Sequence, residues 1–208
     1  MPNGTGLLPA PAPSTSRSAR PAAPLQVYLN ENVFMGMVLS SVEVFKKECF
    51  GLLLGHRTEG KVIVEHALPY QSVRRGHNWA ELRSDKWKTF QDLLRSFPRV
   101  DILGDYHSHT MYRDIRANVA LSNDDITYME PRELQIVVAV NQREHRRAAG
   151  WSVNADRTIS GWIDRYHFRI AAYYFDLAAA NGNGHGPRKS LRPRLADIVC
   201  PFALGAPR

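Results

Sequence analysis

The order of strand-like and helix-like segments limits this chain most, because several strand patterns follow one another with no helix between them. Apolar and β-branched residues predict strands at residues 50–55 and 61–68, and again at 134–141, 148–154 and 158–168. A purely parallel doubly wound fold would instead alternate strands with helices. We therefore expect an α/β fold class, with a single domain built on a mixed β-sheet flanked by helices.

Helical spacing of apolar residues is found in a few segments only. A first strand at residues 25–29 precedes a helix at 30–45, and residues 170–180 have the composition of a terminal helix. A further helix begins at Ser84, where an apolar stripe recurs at helical spacing. That stripe consists of Trp87, Phe90, Leu94 and Phe97. Such stripes are more typical of a packed core than of a ligand pocket.

Composition changes sharply at both ends of the chain. Residues 1–24 are rich in Pro, Ala and Ser, which predicts a disordered leader. Residues 181–208 combine glycines with arginines, which predicts a flexible basic tail, although residues 198–204 could dock on the fold. Residues 25–180 form the expected domain, and the 44% content of hydrophobic residues suffices for a core.

The net charge and the cysteine content indicate which partners and which cellular compartment the sequence favours. The net charge of +7 permits an acidic or nucleic-acid partner, but a solvated basic surface is the simpler interpretation. Arg143, Arg146 and Arg147 contribute to it from a predicted hairpin turn. The sequence contains no signature of specific nucleic-acid binding and no apolar run of about 18 residues that would span a membrane. Cys49 and Cys200 form no disulfide framework, which favours the cytoplasm.

Two histidines stand two residues apart in a segment with strand composition, residues 100–109. Residues i and i+2 of a strand point to the same face, so His107 and His109 would project together and Ser108 would point away. Two neutral imidazoles on one side can hold one Zn²⁺. By itself, a His-x-His pair is weak evidence, because most histidines have only local partners.

Three further residues complete a hydrolytic set. Asp125 can supply a third, oxygen ligand, which leaves an open position for water. Glu48 would act as the base toward that water, and Ser122 would donate a hydrogen bond to the developing oxyanion. The purely structural alternative for Ser122-x-x-Asp125 is a helix capping box, which is compatible with a role of Asp125 as metal ligand. Asp114 and Asp124 are rivals to Asp125 as the ligand.

The combination resembles the JAMM (MPN+) metallopeptidase family. Its motif of Glu near an apolar strand, His-x-His and Ser-x-x-Asp corresponds here to Glu48, His107, His109, Ser122 and Asp125. The resemblance covers about residues 25–175, and among the three aspartates only Asp125 completes Ser-x-x-Asp. The spacer at residues 110–121 is about five residues longer than is usual in the family, and Thr110 stands where Pro is common.

The resemblance implies a cytidine-deaminase-like architecture and a zinc isopeptidase. Its substrate would be a ubiquitin-like or sulfur-carrier protein, cut after a C-terminal Gly-Gly. The runner-up is a non-catalytic MPN-type scaffold or modifier-binding module, for which the longer spacer would cover the open metal position. A third alternative is a zinc hydrolase of a small amide. The presence of every motif residue favours the enzymes over the scaffold, because non-catalytic relatives typically lack the ligand set.

Overall fold

The computed structural model describes residues 23–71, 73–75, 80–82, 84–175 and 192–204, and all structural statements concern these residues. They form β1 (Gln26–Leu29), α1 (Glu31–Glu43), β2 (Phe50–Thr58), β3 (Lys61–Pro69), β4 (Val73–Arg75), β5 (Ala80–Leu82), α2 (Ser84–Leu94), β6 (Asp101–Thr110), α3 (Asn123–Tyr128), β7 (Leu134–Val153), β8 (Ile159–Phe175), β9 (Pro193–Leu195), β10 (Asp197–Val199) and α4 (Pro201–Leu204).

Eight strands form one mixed sheet in the order β10-β1-β3-β2-β6-β7-β8-β9. Strand β6 lies in the middle, antiparallel to β2 and parallel to β7. Gly104 allows the close approach of β7, because its φ is +146° and a Cβ there would lie 1.9 Å from the carbonyl oxygen of Leu134. The sheet confirms the prediction of a single α/β domain with mixed strand directions.

The two faces of the sheet carry different cores. One face packs against α1 through a large apolar cluster that includes Phe34, Leu53, Ile136 and Phe168. The opposite face carries a small cluster in which a loop residue packs on β7 and β8, namely Val119 with Val137, Ala139 and Ala171. His107 pairs with Val137 and His109 with Ala139, so both histidines share this second face, which we call the histidine face.

Residues 193–199 join the two ends of the sheet. Strand β9 pairs with β8 at one end, β10 pairs with β1 at the other, and only Ala196 separates β9 from β10. The Ala196 N–H donates to the carbonyl of Ala172 at 2.9 Å, and the Asp197 N–H donates to the carbonyl of Leu25 at 2.8 Å. The eight-stranded sheet is therefore nearly closed.

This closure corrects the predicted domain boundary. Ala196, Ile198 and Cys200 are buried in the main core. The prediction of a flexible tail is therefore wrong for residues 192–197, whereas residues 198–204 dock on the fold, as the alternative expected. The short apolar segment is stabilised by burial against β1 and β8, which local composition does not reveal. Residues 1–22, 181–191 and 205–208, on which the other tail predictions fall, lie outside the described residues, as do residues 176–180 at the end of the predicted terminal helix.

The predicted hairpin at residues 134–154 is wrong. Strand β7 continues through that range, and its antiparallel partner is β8. The chain turns instead after Asn154, whose N–H donates to the carbonyl of Thr158 at 2.8 Å. The three arginines that were predicted in a turn, Arg143, Arg146 and Arg147, therefore lie within β7. Register shifts in this part of the β7–β8 ladder explain why the pattern resembles a turn.

The predicted terminal helix at residues 170–180 is wrong as far as residue 175, because β8 extends to that position. Ile170 and Ala172 pack in the larger core and Ala171 packs in the smaller one. A strand buried on both faces is continuously apolar, so its sequence pattern is not distinct from that of a buried helix.

Helix α2 lies at the edge of the apolar structure. The Trp87 and Phe90 rings contact the Tyr70 ring, with centroids 5.8 and 5.7 Å apart. Phe97 follows the end of α2 and is 61% exposed, so its predicted place in the packed stripe is wrong. In the part of the chain that the structure describes, no helix has the length and apolarity needed to cross a bilayer.

Candidate metal centre

His107 and His109 project side by side from β6. Their ring centroids are 5.0 Å apart and their Nε2 atoms are 3.2 Å apart. His107 is buried, with 5% exposure, and His109 is half-buried. Two ring nitrogens this close cannot both carry protons facing each other, so the pair requires a shared proton or a cation.

Asp125 reaches both histidines from α3. Its Oδ1 lies 3.5 Å from His107 Nε2, and its Oδ2 lies 3.8 Å from His109 Nε2. Among the described residues, these three side chains form the group of potential metal ligands whose donor atoms all lie within 4.8 Å of one another. The rivals Asp114 and Asp124 are not part of this group.

The spacing of the three donors fits one tetrahedral metal ion. Zinc bonds of 2.0–2.1 Å at tetrahedral angles separate neighbouring donor atoms by about 3.3 Å. His107 Nε2 lies 3.2 Å from His109 Nε2 and 3.5 Å from Asp125 Oδ1, and the 3.8 Å distance from His109 Nε2 is to the other oxygen, Asp125 Oδ2. With one donor atom taken from each residue, all three lie within 4.8 Å of one another. Small adjustments of the side chains would therefore place all three donors on one zinc ion, with a fourth position left for a non-protein ligand.

Asp105 supports His107 from behind. Its Oδ1 lies 3.7 Å from His107 Nδ1, the ring nitrogen that faces away from the cluster. The same oxygen is buried and accepts no hydrogen bond within the described structure. A carboxylate behind a ligating imidazole fixes the ring and increases its basicity. The alternation of β6 accounts for the placement, because Asp105 stands two residues before His107.

The carboxylates on both sides make His107 strongly basic. Burial lowers the pKa of His107, but Asp105 and Asp125 outweigh it and raise the pKa to about 10. For Asp125, burial raises the pKa, yet His107 and Ser122 together bring it below its usual range. Since a metal ligand must be neutral imidazole, a cation binding here would displace the proton of His107.

His109 is held by the long spacer after β6. Its Nδ1 donates to the carbonyl oxygen of Asn118 at 2.8 Å, which leaves Nε2 free for the cluster. Burial and the charge of His107 lower the pKa of His109. The Tyr173 hydroxyl anchors the same segment by donating to the carbonyl of Val119 at 2.9 Å. Asn118 and Val119 of the spacer at residues 110–121 are therefore held in place, and the Asn118 carbonyl orients a candidate ligand.

Glu48 is half-buried in the segment between α1 and β2, beside the cluster. Burial raises the pKa of Glu48 to about 7, with the charge of His107 opposing the rise and that of Asp125 adding to it. A divalent cation nearby would lower this pKa, since it stabilises the carboxylate. The group is thus placed where it can exchange a proton near neutral pH.

Ser108 connects Glu48 to the histidine strand. Its side chain points to the face opposite the histidines and its Oγ accepts the N–H of Cys49 at 2.9 Å. Its own N–H donates to the carbonyl of Cys49 at 3.1 Å. Two hydrogen bonds to the residue that follows Glu48 therefore hold the backbone beside Glu48 against β6.

Ser122 has the capping role that its spacing indicates. Its Oγ accepts the Asp125 N–H at 3.1 Å, and its N–H donates to Asp125 Oδ2 at 2.7 Å. The reciprocal pair is a capping box at the start of α3. The Ser122 hydroxyl oxygen is the acceptor in this box, and a side-chain hydrogen bond from Ser122 also lowers the pKa of Asp125. Its predicted role toward an oxyanion stays a prediction.

Sequence reasoning missed Asp105, Ser108 and Asn118 as supports of the site. For Asp105 a signal exists, because strand alternation places it on the same face as His107 and His109. For Ser108 and Asn118 no local signal exists, since their partners are brought together by the packing of β2 and of the spacer against β6.

Changing Asp105 to Asn is expected to weaken zinc binding about 10–100-fold, because a neutral amide supports the His107 ring less strongly than a carboxylate does. Competition with a chromophoric chelator measures the affinity. Asp114→Asn is the matched control, since Asp114 is exposed and outside the cluster, and it should leave the affinity unchanged. Equal affinity for Asp105→Asn and the unaltered protein would contradict a supporting role for Asp105.

Comparison with known proteins gives information on the fold. No protein-family model matches the chain, and no curated protein matches it either. Among solved structures, the chain is similar to the solution structure of protein DSY2949 from Desulfitobacterium hafniense, with a TM-score of 0.52 and 14% sequence identity. The similarity covers 84% of this chain and 92% of that protein. At this identity the similarity concerns the fold alone.

Proposed function

We propose that this chain is a zinc-dependent metallopeptidase of the JAMM type. It would hydrolyse the amide bond after the C-terminal Gly-Gly of a ubiquitin-like or sulfur-carrier protein. The observation that carries the proposal is the spacing of the His107, His109 and Asp125 donors, which suits one tetrahedral ion and leaves a fourth position open. The architecture implied by the resemblance, related to cytidine deaminases, is part of the same proposal.

In this proposal, Zn²⁺ when bound supplies a Lewis acid that lowers the pKa of a water molecule to about 7. Glu48 accepts the proton of that water and later delivers it to the leaving amine. The Ser122 hydroxyl donates to the oxygen of the scissile carbonyl as negative charge develops there. Asp105 and the Asn118 carbonyl hold the two imidazoles in their ligating orientation.

The elevated pKa of Glu48 supports its assigned role. A base with a pKa near the working pH combines a useful ionised fraction with a good driving force for returning the proton. The half-buried setting that raises this pKa to about 7 also restricts solvent around the reacting groups. The two free cysteines, Cys49 and Cys200, are buried and fit a reducing compartment such as the cytoplasm.

The scaffold alternative differs from the enzyme in what it expects of the long spacer at residues 110–121. It requires the long spacer to cover the open position of the site. The spacer contacts that the structure describes run instead to β7 and β8 and to the far side of His109, through Asn118 and Val119. This arrangement favours the enzyme over the scaffold.

Removal of the metal tests the proposed function. The substrate is a ubiquitin-like or sulfur-carrier protein that ends in Gly-Gly and is fused to a short C-terminal peptide, and cleavage is followed by mass spectrometry. Treatment with a zinc chelator is expected to abolish cleavage, and one equivalent of Zn²⁺ should restore it, because the three ligands hold a single ion. A magnesium supplement is the control and should not restore cleavage.

Chelator-resistant cleavage would contradict the proposed mechanism. Absence of cleavage in a panel of Gly-Gly fusions, together with stoichiometric zinc, would refute the proposed substrate class. Absence of zinc binding would favour the scaffold.

A further inference from the structure

A cluster of basic side chains lies on the histidine face, two strands away from the candidate metal centre. Along one row of the sheet, His109 pairs with Ala139 and Ala139 pairs with Arg169. Because neighbouring strands are about 4.8 Å apart, the Cα atoms of His109 and Arg169 are separated by roughly 10 Å. His167 follows in the next row, as the β8 partner of Asn141.

Four arginines from three segments converge on His167. Arg143 and Arg147 come from β7, Arg169 comes from β8, and Arg116 comes from the spacer after β6. Burial lowers the pKa of His167, and the charges of these four arginines lower it further. We call these four arginines and His167 the basic surface.

Asn141 fixes the contribution of the spacer. Its Oδ1 accepts the N–H of Ala117 at 2.9 Å, and its Nδ2 donates to the carbonyl of Ala117 at 3.1 Å. Asn141 is buried on β7, so its two hydrogen bonds hold Ala117, the residue after Arg116, against the sheet. These bonds hold the backbone next to Arg116 at the position on β7 that pairs with His167.

Two of the four arginines have their charge engaged within the protein. Arg169 forms an ion pair with Asp156 and donates to the Thr158 hydroxyl at 3.1 Å. The Arg147 guanidinium lies over the Trp162 ring, 4.9 Å from its centroid. A shallow cavity of about 350 Å³ opens beside this part of the surface, with His167 and Arg169 in its lining.

The other two arginines, Arg116 and Arg143, are exposed, and within the described ranges no carboxylate lies at ion-pair distance from either. Arg116 and Arg143 lie near other positive charges, which repel them. An anion bound between them would be stabilised, because its negative charge offsets this repulsion. The basic surface is thus suited to a ligand with more than one negative charge.

We infer that the basic surface binds an acidic segment of the protein substrate and so positions that substrate on the histidine face, beside the metal centre. This inference rests on the proposed function, since it takes the substrate to be a protein. A distance of roughly 10 Å corresponds to about three residues of extended chain, which one folded substrate easily spans.

A nucleic acid is the less suitable occupant. Single-stranded nucleic acids bind through aromatic platforms on which bases stack. The Trp162 ring already contacts Arg147 and, at a centroid distance of 4.7 Å, the His167 ring. Among the basic residues of β7 and β8 there are also two acidic ones, Glu144 and Asp164, whereas a phosphate backbone favours a continuous row of positive charges.

Binding of a fluorescein-labelled octaglutamate peptide to the full chain tests the inference, by fluorescence anisotropy at low and at physiological ionic strength. The double variant Arg116→Glu/Arg143→Glu is expected to bind at least about tenfold more weakly, since two attractive charges become repulsive. The matched control is Arg113→Glu/Arg146→Glu, which makes the same charge change in the same spacer and the same strand. The control should change the affinity by less than about twofold.

The outcomes separate the alternatives. Equal losses in both double variants would overturn the inference, because net charge alone would then explain the binding. An octauridylate RNA that binds more tightly than the peptide, and through Arg116 and Arg143, would overturn it in favour of a nucleic acid. Peptide binding needs neither zinc nor turnover, so its failure is distinguishable from failure of the chelator experiment. Circular dichroism of each variant confirms that the fold is retained.

Discussion

Replacing Glu48 with Gln is expected to lower turnover of a Gly-Gly fusion by about 10²–10⁴-fold while leaving one zinc ion per chain. Glutamine keeps the shape of the side chain but cannot accept a proton. The metal should stay, because Glu48 is not among the three clustered candidate ligands. The measurement pairs kcat with zinc content on the same preparation.

A matched variant makes this experiment specific. Glu43→Gln changes an exposed glutamate at the end of α1 and should leave both turnover and zinc content unchanged. If Glu48→Gln kept full activity, the assigned base would be wrong. If it lost zinc together with activity, Glu48 would belong to the ligand set, and the geometry of three protein ligands would have to be revised.

Replacing His107 with Ala is expected to remove stoichiometric zinc and with it all metal-dependent cleavage. The imidazole is one of three candidate protein donors, and the two that would remain, His109 and Asp125, are too few for a stable tetrahedral site. Zinc content after dialysis, measured by mass spectrometry of the metal, gives the result directly.

Two further variants test whether zinc loss in His107→Ala could come from removal of any histidine or from misfolding. His66→Ala removes an exposed histidine of β3 and should keep its zinc. Because His107 is buried between Asp105 and Asp125, its removal could also disturb folding. His109→Ala tests the same site at a less buried position, and it should also lose zinc while thermal unfolding stays cooperative. Stoichiometric zinc in both His107→Ala and His109→Ala would refute the ligand assignment.

The local parts of the site could be predicted from the sequence. The His-x-His pair lies on one strand, so a period of two suffices to place both imidazoles on one face. The Ser122–Asp125 capping box is likewise a matter of spacing within a few residues, and it places Asp125 in the first turn of α3. The metal and the reaction remain predictions that the experiments above address.

The errors in the fold have a common physical cause. Residues 170–175 are buried on both faces of β8, so they lack the alternation by which a strand is usually recognised. The basic residues of β7 resemble a turn because the ladder is irregular there and the side chains are exposed. The segment at residues 193–199 is short and gains its stability from pairing with β8 and β1, which lie far away in sequence.

The sequence by itself therefore determined the class of fold and a candidate ligand set, because strand alternation and helix capping depend on neighbours only a few residues apart. Tertiary structure alone decided how the sheet closes, how Ser108 holds the segment of Glu48, and how the spacer supports His109 and presents Arg116. These arrangements depend on contacts between distant segments, and their energies come from burial and hydrogen bonds that exist only once the chain has folded.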